Sequence, residues 1–215
     1  GSYSFTLLQD ADYNIAIGTY AMDAATTVDN TIAIGKGALS DITEGSGPYY
    51  GGNVAIGHYA GTDVTTASEC VFIGFEAGKA KTGNNYCTYV GFKAGAIETN
   101  LWGNTFIGSY AGANCSAGNG MTFIGNSAGY NNTGGYNDAF GYQALYTNTG
   151  GYGNCAVGGY SMKYYNGTSG GDHYNTAVGY NSFSDNYSVQ NQCTGIGYGV
   201  SLSGSGADNQ IALGY

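Results

Sequence analysis

The stretch NTFIGSYAG, residues 104–112, decides the fold, because the chain restates it one repeat later as MTFIGNSAG, residues 121–129. Working outward from this pair, an apolar residue followed by Gly recurs along the whole chain. The glycines are Gly18, Gly35, Gly57, Gly74, Gly91, Gly108, Gly125, Gly141, Gly158, Gly179, Gly197 and Gly214. Most steps are 16 to 18 residues, and two are longer, at 22 and 21. A period in this range marks a solenoid, in which each repeat buries its apolar face only against its neighbours.

Alignment on the Gly brings out columns. The residue before it is Ile17, Ile34, Ile56, Ile73, Val90, Ile107, Ile124, Phe140, Val157, Val178, Ile196 or Leu213. One place earlier stands Ala in seven copies and an aromatic residue in four consecutive ones, Phe72, Tyr89, Phe106 and Phe123. Three places after the Gly the residue is small, as in Ala21, Ala38, Ala60 and Ala77. Four places before it Asn is favoured, as in Asn14, Asn53, Asn104, Asn137, Asn154 and Asn175.

These columns predict two short strands per unit, N-x-A-I and x-x-A-G/L, joined by turns of Gly, Asn, Asp and Ser. Stacked in register at about 4.8 Å per coil, the strands pair with their copies. The expected fold is all-β: a parallel β-roll, or β-solenoid, of about twelve coils of ~17 residues each. Residues 1–11 form a lead-in and 12–215 a single repeat domain. The Ile/Val column is expected to be buried. The Ala column is expected on the opposite face, covered by another chain and thickened by the four aromatics, which predicts a homotrimer. Tyr215 follows directly on the twelfth Gly, which predicts a segment of a longer protein.

The composition excludes several function classes. Gly contributes 40 of 215 residues and Tyr 22, charged residues are 9%, and the net charge is −9. There is no Arg, and Lys occurs only at 36, 79, 81, 93 and 163. Phosphate-backbone binding needs clustered cations, so no nucleic-acid partner is expected. No apolar run is long enough to span a bilayer, so no membrane insertion is expected.

The units NIAIGTYAM (14–22), NVAIGHYAG (53–61), NTFIGSYAG (104–112), MTFIGNSAG (121–129) and NTAVGYNSF (175–183) resemble the head repeats of YadA-like trimeric autotransporter adhesins. They are also similar to repeats of phage and virus tail-fibre proteins. The 17-residue period and the Tyr and Cys content favour the tail-fibre side. The resemblance implies a left-handed roll, a trimer, and an extracellular place on a cell surface or virion fibre. It also implies a host-surface glycan or protein as partner.

Candidate chemistry is sparse. No Ser/His/Asp arrangement and no convincing carboxylate pair is legible, so neither an enzyme nor a cofactor is expected, and no metal site; Asp10 and Asp12 read as a solvated turn. His58 and His173 fall seven repeats apart. The Gly-rich strings at 35–37 and 195–199 lack the helix and Lys-Ser/Thr of a phosphate loop.

Recognition is expected on the two longer loops, 41–52 and 164–174, because loops on a rigid scaffold carry function. The candidate ligand-binding residues there are Tyr49, Tyr50, Tyr164, Tyr165, Asp172, His173 and Tyr174. Tyr20, Tyr59, Tyr110, Tyr142, Tyr160, Tyr180 and Tyr198 read as a stacked ladder, serving either multivalent contact or cross-strand packing. Of five cysteines, Cys70 and Cys87 share a column in adjacent units. A ladder disulfide and free thiols in place of Asn both remain open. The predicted function is the structural and binding segment of a trimeric fibre. The alternative is a spacer or extracellular filament subunit without its own ligand.

Overall fold

The computed structural model describes residues 1–7, 11–43, 51–83, 85–97, 101–165, 174–184, 191–201 and 208–214. Two compact units divide the chain, Gly1–Asn104 and Thr105–Tyr215. Both are built from parallel strands stacked as a β-solenoid, about ten turns in all.

The first unit stacks β1 (Ile15–Ile17), β2 (Ile32–Ile34), β3 (Val54–Ile56), β4 (Val71–Ile73) and β5 (Thr88–Val90) in chain order. Pairing is in register, with Ala33 opposite Ala55 and Phe72 opposite Tyr89. The second unit contains β6 (Thr105–Ile107), β7 (Thr122–Ile124), β8 (Asn131–Asn132), β9 (Asp138–Phe140), β10 (Thr147–Asn148), β11 (Cys155–Val157), β12 (Tyr164–Tyr165), β13 (Thr176–Val178), β14 (Thr194–Ile196) and β15 (Ile211–Leu213). Its main sheet runs β6-β7-β9-β11-β13-β14-β15, and β8, β10 and β12 form a separate three-stranded sheet.

The expected second strand, x-x-A-G/L, is a turn instead. Its residues two and four after the Gly adopt positive φ, as in Tyr20 (60°) and Met22 (50°), or Tyr160 (57°) and Met162 (48°). That backbone cannot be read from a consensus of ordinary L-residues. The turns still bond from coil to coil, with Met22 N–H donating to Ala38 O at 3.1 Å and Leu145 N–H to Ser161 O at 2.9 Å.

The orientation of the strands also corrects the expectation. The middle residue of each strand points inward: Ala33, Ala55, Phe72, Tyr89, Phe106, Phe123, Ala139 and Ala156 are all fully buried. The Ile/Val column points outward, with Ile17 57%, Ile107 37% and Ile196 46% exposed. The four aromatics therefore lie in the chain's own core and thicken no contact with another chain.

The core is thin, and its two walls are matched in volume. On most coils whose strand centre is Ala, the residue four after the Gly is large: Ala33 with Leu39, Ala139 with Leu145, Ala156 with Met162; the Ala55 coil instead has Gly61, where a Cβ would meet Leu39 and Phe72 of the neighbouring coils at 2.9 Å. Where the strand centre is aromatic, that residue is Gly78, Gly95, Gly112 or Gly129. A Cβ on Gly129 would stand 2.3 Å from the Phe123 ring, and one on Gly112 2.5 Å from the Phe106 ring. Close packing leaves no room for both walls to be large.

The repeat Gly has a different cause. Gly125 has φ +138° and its Cβ would meet the carbonyl oxygen of Gly141 at 2.4 Å, so neighbouring coils approach too closely for any side chain. The Asn column closes the coils. Asn137 Nδ2 donates to Gly151 O at 2.9 Å, and its Oδ1 accepts the N–H of Asn154 on the next coil at 2.8 Å. Asn154 passes the pattern to Asn175 at 3.0 Å, and Asn175 to Cys193 at 2.9 Å. Both ends of the amide are thus satisfied inside the core.

Candidate functional site

The turn after each repeat Gly carries the tyrosines outward, and the structure sorts them into two columns. Tyr142, Tyr180 and Tyr198 follow the Gly directly, whereas Tyr20, Tyr59, Tyr110 and Tyr160 stand two places after it in left-handed backbone. In the second unit the columns interleave. Tyr142 and Tyr160 meet edge-on at 5.2 Å, Tyr160 and Tyr180 edge-on at 5.5 Å, and Tyr180 stacks on Tyr198 at 5.7 Å. Tyr198 is 68% exposed, so the ladder offers ring faces to solvent rather than packing them away. In the first unit the exposed rings include Tyr3 and Tyr20, stacked at 5.2 Å, and Phe75 and Phe92, stacked at 5.3 Å, with His58 tilted against Phe75 at 5.4 Å.

Beside the tyrosine ladder lies an open cavity of about 230 Å³, lined by Tyr160, Lys163, Tyr164, Tyr180, Asn181 and Ser184. Lys163 is the only cation in the sequence after residue 104. Its Nζ sits 4.7 Å from the ring centre of Tyr160 and 4.8 Å from that of Tyr164. Each such contact contributes roughly 0.5–1 kcal/mol at an exposed position and holds the ammonium at the cavity wall. Partial burial, with the phenols of Tyr142 and Tyr180 alongside, pushes the Tyr160 hydroxyl up from its ordinary value, and Lys163 opposes this. Tyr160 is therefore a neutral hydrogen-bond donor and acceptor at neutral pH. Apolar ring faces with a cation, an amide and hydroxyls around a small concavity can bind a polar ring compound non-covalently.

Of the residues expected from the loops, Tyr164 lines this cavity and is 45% exposed. Tyr165 turns inward, is 2% exposed, and accepts a hydrogen bond from Asn175 Nδ2 at 2.7 Å, so it supports the surface from beneath. Tyr174 is 61% exposed but belongs to another column, its ring lying over Gly153. Tyr49, Tyr50, Asp172 and His173 lie outside the described residues. Sequence reasoning missed Lys163, Asn181 and Ser184. The isolation of Lys163 in the second half of the chain was the available signal.

Cys70 and Cys87 are buried and are not joined in a disulfide. Among the described residues no cluster of three or more His, Cys, Asp and Glu side chains could hold a metal ion, and no helix is long and apolar enough to cross a membrane. The architecture defines the class, a parallel β-solenoid with an outward aromatic ladder. No protein-family model, no curated protein and no solved structure matches the chain.

Proposed function

We propose that this chain is the β-solenoid segment of a trimeric surface or virion fibre, adhesin-like or tail-fibre-like, that attaches to a glycan or protein on a host or matrix. Its roll is left-handed with about twelve coils. The observation that carries the reading is the solvent-facing ladder Tyr142–Tyr160–Tyr180–Tyr198 with its adjoining cavity. Repeated rigid amphipathic rings suit weak contacts that gain strength by multiplicity, and three chains multiply them further.

Trimer formation is supported by the outward Ile/Val column. Within the first unit it runs Ile17, Ile34, Ile56, Ile73 and Val90; within the second it continues from Ile107 through Ile124, Phe140, Val157, Val178 and Ile196. An apolar ladder facing water invites cover by other copies. It replaces the Ala column as the contacting face.

The test has two arms. Light scattering should give three times 22.0 kDa, and a stable 22.0 kDa particle would refute the trimer. Binding to a panel of immobilised polysaccharides and host extracts should fall at least tenfold in the Tyr180→Ala/Tyr198→Ala variant; unchanged binding refutes the ladder as the attachment surface.

The second reading, a spacer or filament subunit without its own ligand, is favoured by the ring-on-ring contacts, which already give each tyrosine a packing role. Absence of binding to every surface in the panel by a correctly assembled trimer would establish it.

A further inference from the structure

Asn is the commonest residue in the column four residues before the repeat Gly, but Cys70 and Cys87 occupy it on adjacent coils. The register is set by the β4–β5 pair, where Val71 lies opposite Thr88, and Val71 N–H donates to the Cys87 carbonyl at 2.8 Å. Cys70 and Cys87 are therefore stacked neighbours one rung apart. Stacked strands are about 4.8 Å apart, inside the Cα separation that a disulfide spans. Both side chains are fully buried.

Beside them stands a charge where none is expected. Lys81 is 0% exposed and occupies the column that holds Ala25, Ile42, Val64 and Cys115 on other coils. Its Nζ donates to the Leu101 carbonyl oxygen at 2.6 Å, and the Cys87 thiol, when protonated, donates to that same oxygen at 3.5 Å or to the Asn85 carbonyl oxygen at 3.6 Å. A lysine costs far more to bury than the alanine or valine it replaces, so its placement calls for a local anion or acceptor set.

We infer that Cys70 and Cys87 are a redox pair joining adjacent coils, in which Cys87 is the nucleophilic thiolate, Lys81 the positioning cation, and Cys70 the resolving thiol. The Cys70 thiol donates to the Cys87 sulfur, which also faces the Lys81 charge, the Tyr89 hydroxyl and the backbone N–H of Asn104. Together these hold the Cys87 thiol below its ordinary value, against the opposing effect of burial. Cys70 is pushed up, first by that same hydrogen bond, then by burial and the charge on Cys87. One sulfur is thereby poised to attack and the other to deliver a proton. Glu98, one repeat after Lys81, lies outside the described residues.

The oxidant is a peroxide, small and neutral enough to enter by local opening of the coil. The Cys87 thiolate attacks one peroxide oxygen, the O–O bond breaks, and a sulfenic acid and hydroxide form. The Cys70 thiol then attacks the Cys87 sulfur, the S–O bond breaks, and its proton leaves with the departing hydroxyl as water. Two electrons pass from the sulfurs to the peroxide, and the products are a disulfide, one water and one hydroxide, which the buffer neutralises. The new bond ties β4 to β5 covalently.

Trypsin separates the two sulfurs, because Lys81 lies between them: Cys70 falls in residues 37–79 and Cys87 in 82–93. The purified full chain is treated with hydrogen peroxide at pH 7, unfolded in the presence of iodoacetamide, and digested without reductant. The expected product is peptide 37–79 linked to 82–93, lighter by two hydrogens and separated by dithiothreitol. Iodoacetamide labelling of Cys87 in the untreated folded chain should be nearly flat from pH 6 to pH 8, where an ordinary thiol would quicken on the order of 100-fold. Lys81→Met should slow cross-linking at least tenfold at pH 7. Should that variant not fold, the wild-type labelling profile decides the role of Cys87.

Recovery of both cysteines alkylated after peroxide, or a sulfinic acid on Cys87 without the link, would overturn the pair. A labelling rate that rises steeply with pH would overturn the thiolate, and an unchanged rate in a folded Lys81→Met would overturn the lysine's part.

Discussion

Replacing Phe123 by Ala and Gly129 by Leu together should restore most of the stability that either change alone removes. Phe123→Ala empties a fully buried site and breaks a ring stack on Phe106 at 5.0 Å. Truncations of this kind cost about 3–5 kcal/mol. Gly129→Leu alone drives a side chain into the Phe123 ring, since even its Cβ would stand 2.3 Å from Cδ2 and Cε2. Overpacking costs about 1–3 kcal/mol. Holding a side chain at φ +58° adds roughly 1–2 kcal/mol. Independent effects would therefore leave the double variant about 5–10 kcal/mol less stable.

The structure argues for far less. The next coil of this unit already uses the exchanged pair, with Ala139 in the strand and Leu145 at φ 49° in the turn. The double change only moves the boundary between the two kinds of coil by one rung. What remains lost is the ring stack, about 0.5–1.5 kcal/mol, and the left-handed backbone cost already stated. A coupling of at least about 3 kcal/mol in favour of the double variant is expected, at the upper end of that seen for contacting residues. Urea unfolding followed by circular dichroism, run on all four members of the cycle, measures it through the midpoints. Additive losses would show that the two walls of the core are not matched against each other.

Two further outcomes follow from the same packing. Asn154→Ala removes the acceptor for Asn175 N–H and a donor to Asn137 Oδ1, both inside the core, and should cost about 1–3 kcal/mol per orphaned group, read as a fall in thermal midpoint. Glu76 accepts from Lys79 at 3.0 Å and lies 3.4 Å from Lys93. Although burial raises its pKa, the Lys79 hydrogen bond and the charges of Lys79 and Lys93 lower it overall. Its contribution is therefore present above the unfolded-state pKa and lost as pH falls through the folded one. Glu76→Gln should cost at most about 1 kcal/mol at pH 7 and nothing once the carboxyl is protonated, as urea midpoints at both pH values would record.

The candidate site was half legible. Tyr164 and the tyrosines after the Gly could be marked because aromatic residues in a repeat column are visible in an alignment. That the positions one and two after the Gly interleave into one ladder was not visible, because Tyr160 reaches it only through backbone at φ 57°. Lys163 was overlooked because nothing in the local sequence says that its ammonium turns back between the rings of Tyr160 and Tyr164. The inward turn of Tyr165 likewise depends on Asn175, ten residues away, offering its amide.

Sequence alone determined the repeat, its parallel stacking and the alignment of equivalent residues, because each coil must pair with a copy of itself and identical spacing leaves one register. Which face of the strand looks inward was decided only by the tertiary structure. Both faces of N-x-A-I-G are apolar, so alternation carries no direction, and hydrophobicity alone favours burying Ile17 or Ile107 over Ala16 or Ala33. The opposite holds because the turn folds back so tightly that its far wall touches the strand. A ring and a large residue cannot both fit between them, and the branched residues beside the Gly are left to line the outside.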